Sequence, residues 1–169
     1  MLLGRKGRDF FRKRAAAVVS EHLGMAQKLV FAEVAAIAGK AAELYRNEEI
    51  DAVYLIYNEF KSVVAQTLTT ARVLPIELPE QAAPVDYIFE QPPKEMLDAL
   101  LPKYVETEFY RALAESTAAE HAARMTAMEA ATSNAGEMIE KLTLYLNRVR
   151  QASITKEIIE VVSGAAAAE

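Results

Sequence analysis

From Lys103 to Ser163 the chain runs without a proline and with one glycine, Gly136, at a high density of Ala, Glu, Leu, Met, Lys and Arg. These are strong helix formers, and nothing inside the stretch stops a helix. Pro102 stands at its first-turn position and Gly164 at its far end, the proline-in, glycine-out asymmetry of helices. At a rise of ~1.5 Å per residue, one helix of this length extends roughly 90 Å. A compact globule of the whole chain has a radius of gyration of only about 15 Å. The helix is therefore expected to project far beyond its own domain.

The surface of that helix is patterned. Met128, Ala131, Ala135, Met138, Leu142, Tyr145, Val149 and Ala152 follow alternating spacings of 3 and 4, a heptad seam that predicts a left-handed coiled coil. Ala118, Ala119, Ala122, Ala123, Ala127 and Ala130 make the preceding turns slim, so that a partner helix could approach closely. No second long helix is evident to fill the seam, which leaves another copy, another protein, or a segment outside these residues as its partner. Past Ala152 the register breaks: Ile154, Ile158, Val161 and Val162 rotate away from the seam and Ile159 adds a further face. A tip apolar around much of its circumference usually marks burial or a protein contact.

Residues 1 to 93 read as alternating short elements. Met1 to Gly4 suggests a strand and Asp9 a helix cap ahead of FFRKRAAAVV, although Ala17 to Ser20 equally suits a strand. Val30, Val34, Ile37, Ala41, Leu44 and Tyr45 predict a helix over 30–46, ending in Arg46-Asn47-Glu48-Glu49. The run Val53 to Tyr57 predicts a strand covered on both faces. KSVVAQTLTTARVLPIELP continues in β-favouring residues as far as Pro75 and Pro79. Pro79, Pro84, Pro92 and Pro93 punctuate a connector, which places the boundary between a domain at 1–93 and a helix at 94–169. The expected class is α/β: a partial Rossmann-like small sheet with helices, plus one very long carboxy-terminal coiled-coil helix.

Composition narrows the function. No apolar run approaches the roughly 20 residues needed to cross a bilayer, so membrane association would be peripheral. The basic start MLLGRKGRDFFRKR is not followed by an apolar stretch of signal-peptide length. There is no cysteine for a disulfide framework, and a net charge of −5 argues against nucleic acid as the main partner. His22 and His121 belong to no ligand spacing and read better as solvated or capped than as metal ligands. Gly4-Arg5-Lys6-Gly7 lacks the spacing of a phosphate loop and reads as a basic turn. Glu137, Glu140, Glu157 and Glu160 interleave with Lys141, Arg148, Arg150 and Lys156 at helical spacing, as ion pairs on a solvated face do. Met125 and Met128 read as an inter-helix contact. No nucleophile, general-base, cofactor or metal motif is present, so neither catalytic residues nor a cofactor are expected.

The segments ARMTAMEAATSNAGEMI, LNRVRQASITKE and ITKEIIEVVSGA together resemble the carboxy-terminal helix of the gamma subunit of F-type ATP synthases. Its signature of Ile-Thr, then Glu, then an acidic residue three positions on, and finally Gly-Ala falls on Ile154, Thr155, Glu157, Glu160, Gly164 and Ala165. GRKGRDFF, YLIYNEFKSVVAQ, the VLPI turn and YIFEQPPKEMLDALLPKYVETEFYRALAES resemble the family in the right order, over essentially the whole chain. The resemblance is to the later part of such a subunit. The long amino-terminal helix that pairs with the carboxy-terminal one, and the first strand of the α/β domain, are not found here.

What the resemblance implies is mechanical. The family's paired helices form the central shaft inside a ring of alpha and beta subunits, and its α/β domain forms a foot that meets the epsilon subunit and the membrane c-ring. Proton flow turns the shaft, which presses in turn on three catalytic beta subunits. The chain is then a non-catalytic rotor subunit, peripheral on the cytoplasmic face of the bacterial inner membrane. By the same resemblance, Arg150, Gln151, Thr155 and Glu157 lie where family members make polar contacts to the ring. Ile158, Val161 and Val162 lie where the tip turns in an apolar sleeve. Two other classes stay open on the residues alone: a coiled-coil scaffold or dimerising adaptor using the same seam, and a small α/β enzyme with a helical tail.

Overall fold

The computed structural model describes residues 1–14, 17–26, 28–76 and 91–166, with side chains as far as Gly164. The order of elements is β1 (Leu2–Leu3), α1 (Arg5–Phe11), β2 (Glu21–His22), α2 (Phe31–Arg46), β3 (Val53–Phe60), β4 (Gln66–Leu74) and α3 (Pro93–Ala166). The class is α/β, with helices and one long carboxy-terminal helix, as the sequence predicts, and the described strands form two separate two-stranded sheets where one small sheet is expected. Two compact units divide it, Met1–Ala123 and Arg124–Glu169.

In the first unit, β1 and β2 pair in parallel, Leu2 opposite Glu21 and Leu3 opposite His22. The ladder is closed by Leu2 N–H on the Ser20 carbonyl at 2.9 Å and Gly4 N–H on the His22 carbonyl at 3.0 Å. Gly4 then turns the chain at a φ of 118°, open to glycine and costly for a side chain, and α1 begins at the next residue. This displaces the expected cap. Asp9 lies inside α1, where Arg8 bonds its carboxylate at 2.9 Å, and the Gly4–Gly7 stretch is the first turn of the helix rather than a loop. Ala17 to Ser20 is not a strand but leads into β2. Ala15 and Ala16, in the middle of the expected first helix, lie outside the described residues, as do Pro79 and Pro84 of the connector.

Strands β3 and β4 form an antiparallel hairpin from Val53 opposite Leu74 to Phe60 opposite Gln66. Its turn is held by Ala65 N–H donating to Ser62 Oγ at 3.0 Å. The ladder stops before Pro75, which has no amide hydrogen to extend it. The hairpin is covered on one face, not both. Val53 is buried and Leu55 half-buried, whereas Tyr54 and Ile56 are 56% and 70% exposed. The apolar run reflects β propensity, and a pair of strands packed on one side needs only alternate residues inside.

The core lies where α2, the hairpin and the start of α3 meet. Val34, Ile37, Ala38 and Ala41 form one stripe of α2 at helical spacing. They pack with Met25, Val53, Val73, Leu74, Val105 and Phe109. The Phe31 ring meets Tyr110 edge to face at 5.5 Å between centroids, a favoured arrangement for two aromatic quadrupoles. Beside this core Arg111 bonds Glu108 at 2.6 Å and reaches Glu115 at 3.9 Å. Burial pushes the Tyr57 phenol above its usual range, and the nearby Glu115 carboxylate adds to the rise while Arg111 opposes it, since a negative neighbour disfavours the phenolate and a positive one favours it.

Helix α3 departs from its expected bounds at both ends. It starts at Pro93, so Pro102 lies within it rather than in the first turn. Pro102 removes an amide hydrogen, but Pro102 and Asp98 are both exposed, so water can reach the carbonyl left without its partner. At the other end Gly164 is helical and the helix runs to Ala166. One glycine costs roughly 1 kcal/mol against alanine, and alanines such as those that follow favour the helix most strongly.

Candidate partner-binding surface

The candidate surface is the part of α3 in the second unit. Between Arg124 and Gly164 no described side chain is buried, and two, Thr126 and Asn147, are half-buried. All eight seam positions, Met128, Ala131, Ala135, Met138, Leu142, Tyr145, Val149 and Ala152, are exposed along one continuous helix. In a straight helix such a seam drifts about 20° per heptad, which a left-handed supercoil would remove.

The structure also brings out residues that the seam alone does not include. Met125, Ile139 and Leu146 recur at heptad multiples and stand beside the seam, widening the apolar stripe. Leu144 is exposed on another side. The signal was present in the sequence as large apolar residues outside the strict 3-and-4 spacing. A strict two-position seam is what one partner helix fills, and a wider stripe needs cover from more than one direction.

Polar groups on this surface are largely turned to their own helix. The Thr132 and Thr143 hydroxyls donate to the carbonyls of Met128 and Ile139, each at 2.8 Å, a local bond that hydroxyls within helices commonly make. Lys141 pairs with Glu137 at 3.7 Å and Lys156 with Glu160 at 3.6 Å, both one turn apart. Of the residues singled out near the tip, Arg150 donates to Asn147 Oδ1 at 2.7 Å and Glu157 accepts from Ser153 Oγ at 3.4 Å. Gln151 and Thr155 are exposed beside them. Ile158, Val161 and Val162 are exposed, with Val161 at 72%. These residues share consecutive turns of one helix, with the charged and amide groups on the lower turns and the large aliphatics above.

His22 Nε2 lies 3.2 Å from Ser20 Oγ, and His121 is exposed on α3. Among the described residues no group of three His, Cys, Asp or Glu is placed to hold a metal ion, and no helix is long and apolar enough to cross a membrane.

Similarity to known proteins follows the same lines. A family model described as ATP synthase matches residues 1–168. The chain is 75% identical over 168 residues to the ATP synthase gamma chain of Solibacter usitatus (strain Ellin6076), covering 99% of this chain and 59% of that one. It is 50% identical over 167 residues to the ATP synthase gamma chain of Desulfitobacterium hafniense (strain DSM 10664 / DCB-2), with the same two coverages. A cryo-electron microscopy structure of the Tetrahymena thermophila mitochondrial ATP synthase, central stalk and c-ring, holds a chain similar at a TM-score of 0.57 and 26% identity, over 77% of this chain and 58% of that one. The chain spans about three fifths of the length of the curated relatives it matches. With an apolar helix surface of this kind and a match along nearly its whole length, the chain belongs to the ATP synthase family, and its relatives there are gamma chains.

Proposed function

We propose that this chain serves in the central stalk of a proton-translocating ATP synthase, as the rotor subunit that transmits rotation of the membrane ring to the catalytic beta subunits. The observation that carries this reading is the exposed apolar stripe of α3, wider than one partner helix fills and continued around the tip. A helix so clad is costly in water and inexpensive inside a protein sleeve. In this reading residues 1–93 are the foot and connector and 94–169 the shaft. An amino-terminal gamma helix covers the seam, and the ring of alpha and beta subunits surrounds the rest.

The physical division of labour follows from the tip. Ile158, Val161 and Val162 offer contacts without direction, so rotation past them meets no strong bond to break. Arg150, Gln151, Thr155 and Glu157, on the turns leading up to them, offer directional hydrogen bonds that can form at some angles and not at others. The chain contributes no catalytic group: ATP is made on beta, and the stalk changes which beta site is favoured by pressing on it. The foot meets the epsilon subunit and the c-ring, which sets the protein peripherally at the cytoplasmic face of the inner membrane.

Expression of the chain together with alpha and beta subunits tests the reading: a stable complex recovered with both supports it, and recovery of the chain alone counts against it. Replacing Arg150 and Gln151 by alanine in a complete gamma chain is expected to lower coupled ATP synthesis, and unchanged synthesis removes those two residues from the role. The exposed seam also suits a scaffold that dimerises through two copies. Light scattering on the isolated chain distinguishes the two, since a stable homodimer favours the scaffold.

A further inference from the structure

One surface is left unused by a stalk helix. Residues 1–14 hold Arg5, Lys6, Arg8, Arg12, Lys13 and Arg14 against the single acid Asp9, in a chain whose net charge is −5. A net positive charge is thus concentrated in α1 and the turn after it, and the remainder carries a net negative charge. Part of it has a structural use: Arg8 pairs with Asp9, and cations near the end of α1 suit its dipole. That accounts for few of the six, and Arg5, Lys6, Arg12, Lys13 and Arg14 are all exposed.

Aromatic rings accompany the charge. Phe10 and Phe11 are 53% and 37% exposed and meet edge to face at 5.1 Å. The Arg14 guanidinium lies over the Phe10 ring, 3.5 Å from its centroid, where the ring quadrupole attracts a cation. Exposed phenylalanines within a cluster of cations are the combination by which peripheral segments hold an anionic bilayer. The cations meet the headgroups and the rings enter the boundary with the acyl chains. An acidic protein partner would draw on the charge but give no use to two rings left in water. Arg5 and Lys6 line a hollow shared with Glu120, so an acid of the same chain faces them. The outward cations are Arg12, Lys13 and Arg14.

We propose that residues 5–14, with Phe10, Phe11, Arg12, Lys13 and Arg14 at their centre, form a docking patch for an anionic phospholipid surface. The patch stands independently of the stalk reading, since it belongs to the first unit and needs none of α3 beyond Ala123.

Flotation of the full chain with vesicles tests it. Binding to phosphatidylglycerol vesicles is expected, with far weaker binding to phosphatidylcholine vesicles. It should be lost as salt rises from about 0.1 M to about 1 M, where the Debye length falls from about 10 Å to about 3 Å. The triple change Arg12→Glu, Lys13→Glu and Arg14→Glu should weaken binding at least about 100-fold, since each cation near such a surface is worth about fivefold in affinity. An equal charge change on α3 (Lys141→Glu, Arg148→Glu, Lys156→Glu) should leave most of the binding in place. Phe10→Ser with Phe11→Ser should weaken binding at low salt without altering its salt dependence. Equal affinity for both lipids, binding that survives high salt, or a triple variant that binds as before overturns the proposal. So does salt-sensitive capture by polyglutamate with none by phosphatidylglycerol vesicles, which would make the partner an acidic protein.

Discussion

The two parts of α3 are made of similar residues and have opposite surroundings. Before Ala123, Val105, Phe109, Ala112, Ala119 and Ala122 are buried, with Val105 and Phe109 set in the core that α2 and the hairpin supply. After Arg124, Met138, Leu142, Tyr145 and Leu146 are as apolar and each more than half exposed. Helix propensity alone does not distinguish them, so what differs is the source of stability. The first part draws on tertiary packing within the chain, and the second on intrinsic propensity until something covers it.

Substitutions that separate these sources range from large effects to small. Phe109 lies in the core cluster, and Phe109→Ala should remove about 3–5 kcal/mol from the stability of the first unit, because it leaves a cavity that the surroundings only partly fill. A urea titration followed on that unit measures it, and a loss under about 1 kcal/mol would mean that the first part of α3 is no better packed than the second. Ala38 has no exposure, and Ala38→Leu should cost about 1–3 kcal/mol by overpacking. Tyr57→Phe acts at high pH. A phenol held above its ordinary value keeps its proton more tightly when folded than when unfolded. Its contribution to stability is therefore fully present below the unfolded pKa of about 10 and is lost as pH rises through the folded value. The variant should lose that alkaline dependence, as unfolding curves at about pH 9 and about pH 11 would report. Met138 is exposed, and Met138→Ala should change stability of the isolated chain by no more than about 0.5 kcal/mol, the range of such positions. The same change should weaken binding to a partner that covers the seam, and a large effect on the isolated chain would show the seam already filled.

Much of this was legible in the residues. The stripe Val34, Ile37, Ala41 located α2 and its buried face, and the heptad spacing located the exposed surface of α3. The terminal signature carried the family. What the residues did not disclose depended on surroundings rather than on propensity. The run Val53 to Tyr57 reads the same whether one face is covered or two, and only the packing leaves Ile56 in water. A proline stops a helix most firmly where its lost hydrogen bond is buried, and the exposure of Pro102 lets α3 continue from Pro93. Asp9 is a good cap, but the backbone turn at Gly4 places the helix start at Arg5. Ile139 and Leu146 stand outside the strict 3-and-4 spacing, and it is their exposure beside the seam that joins them to a wider stripe.

Hydrogen exchange along α3, with the chain alone and with alpha and beta subunits added, tests most directly whether the second unit is completed by a partner. Amides from 124 to 164 should exchange readily in the isolated chain and gain at least about tenfold protection in the complex, while those of α2 stay unchanged. Full protection of 124–164 in the isolated monomer, or no gain on adding the two subunits, would contradict it.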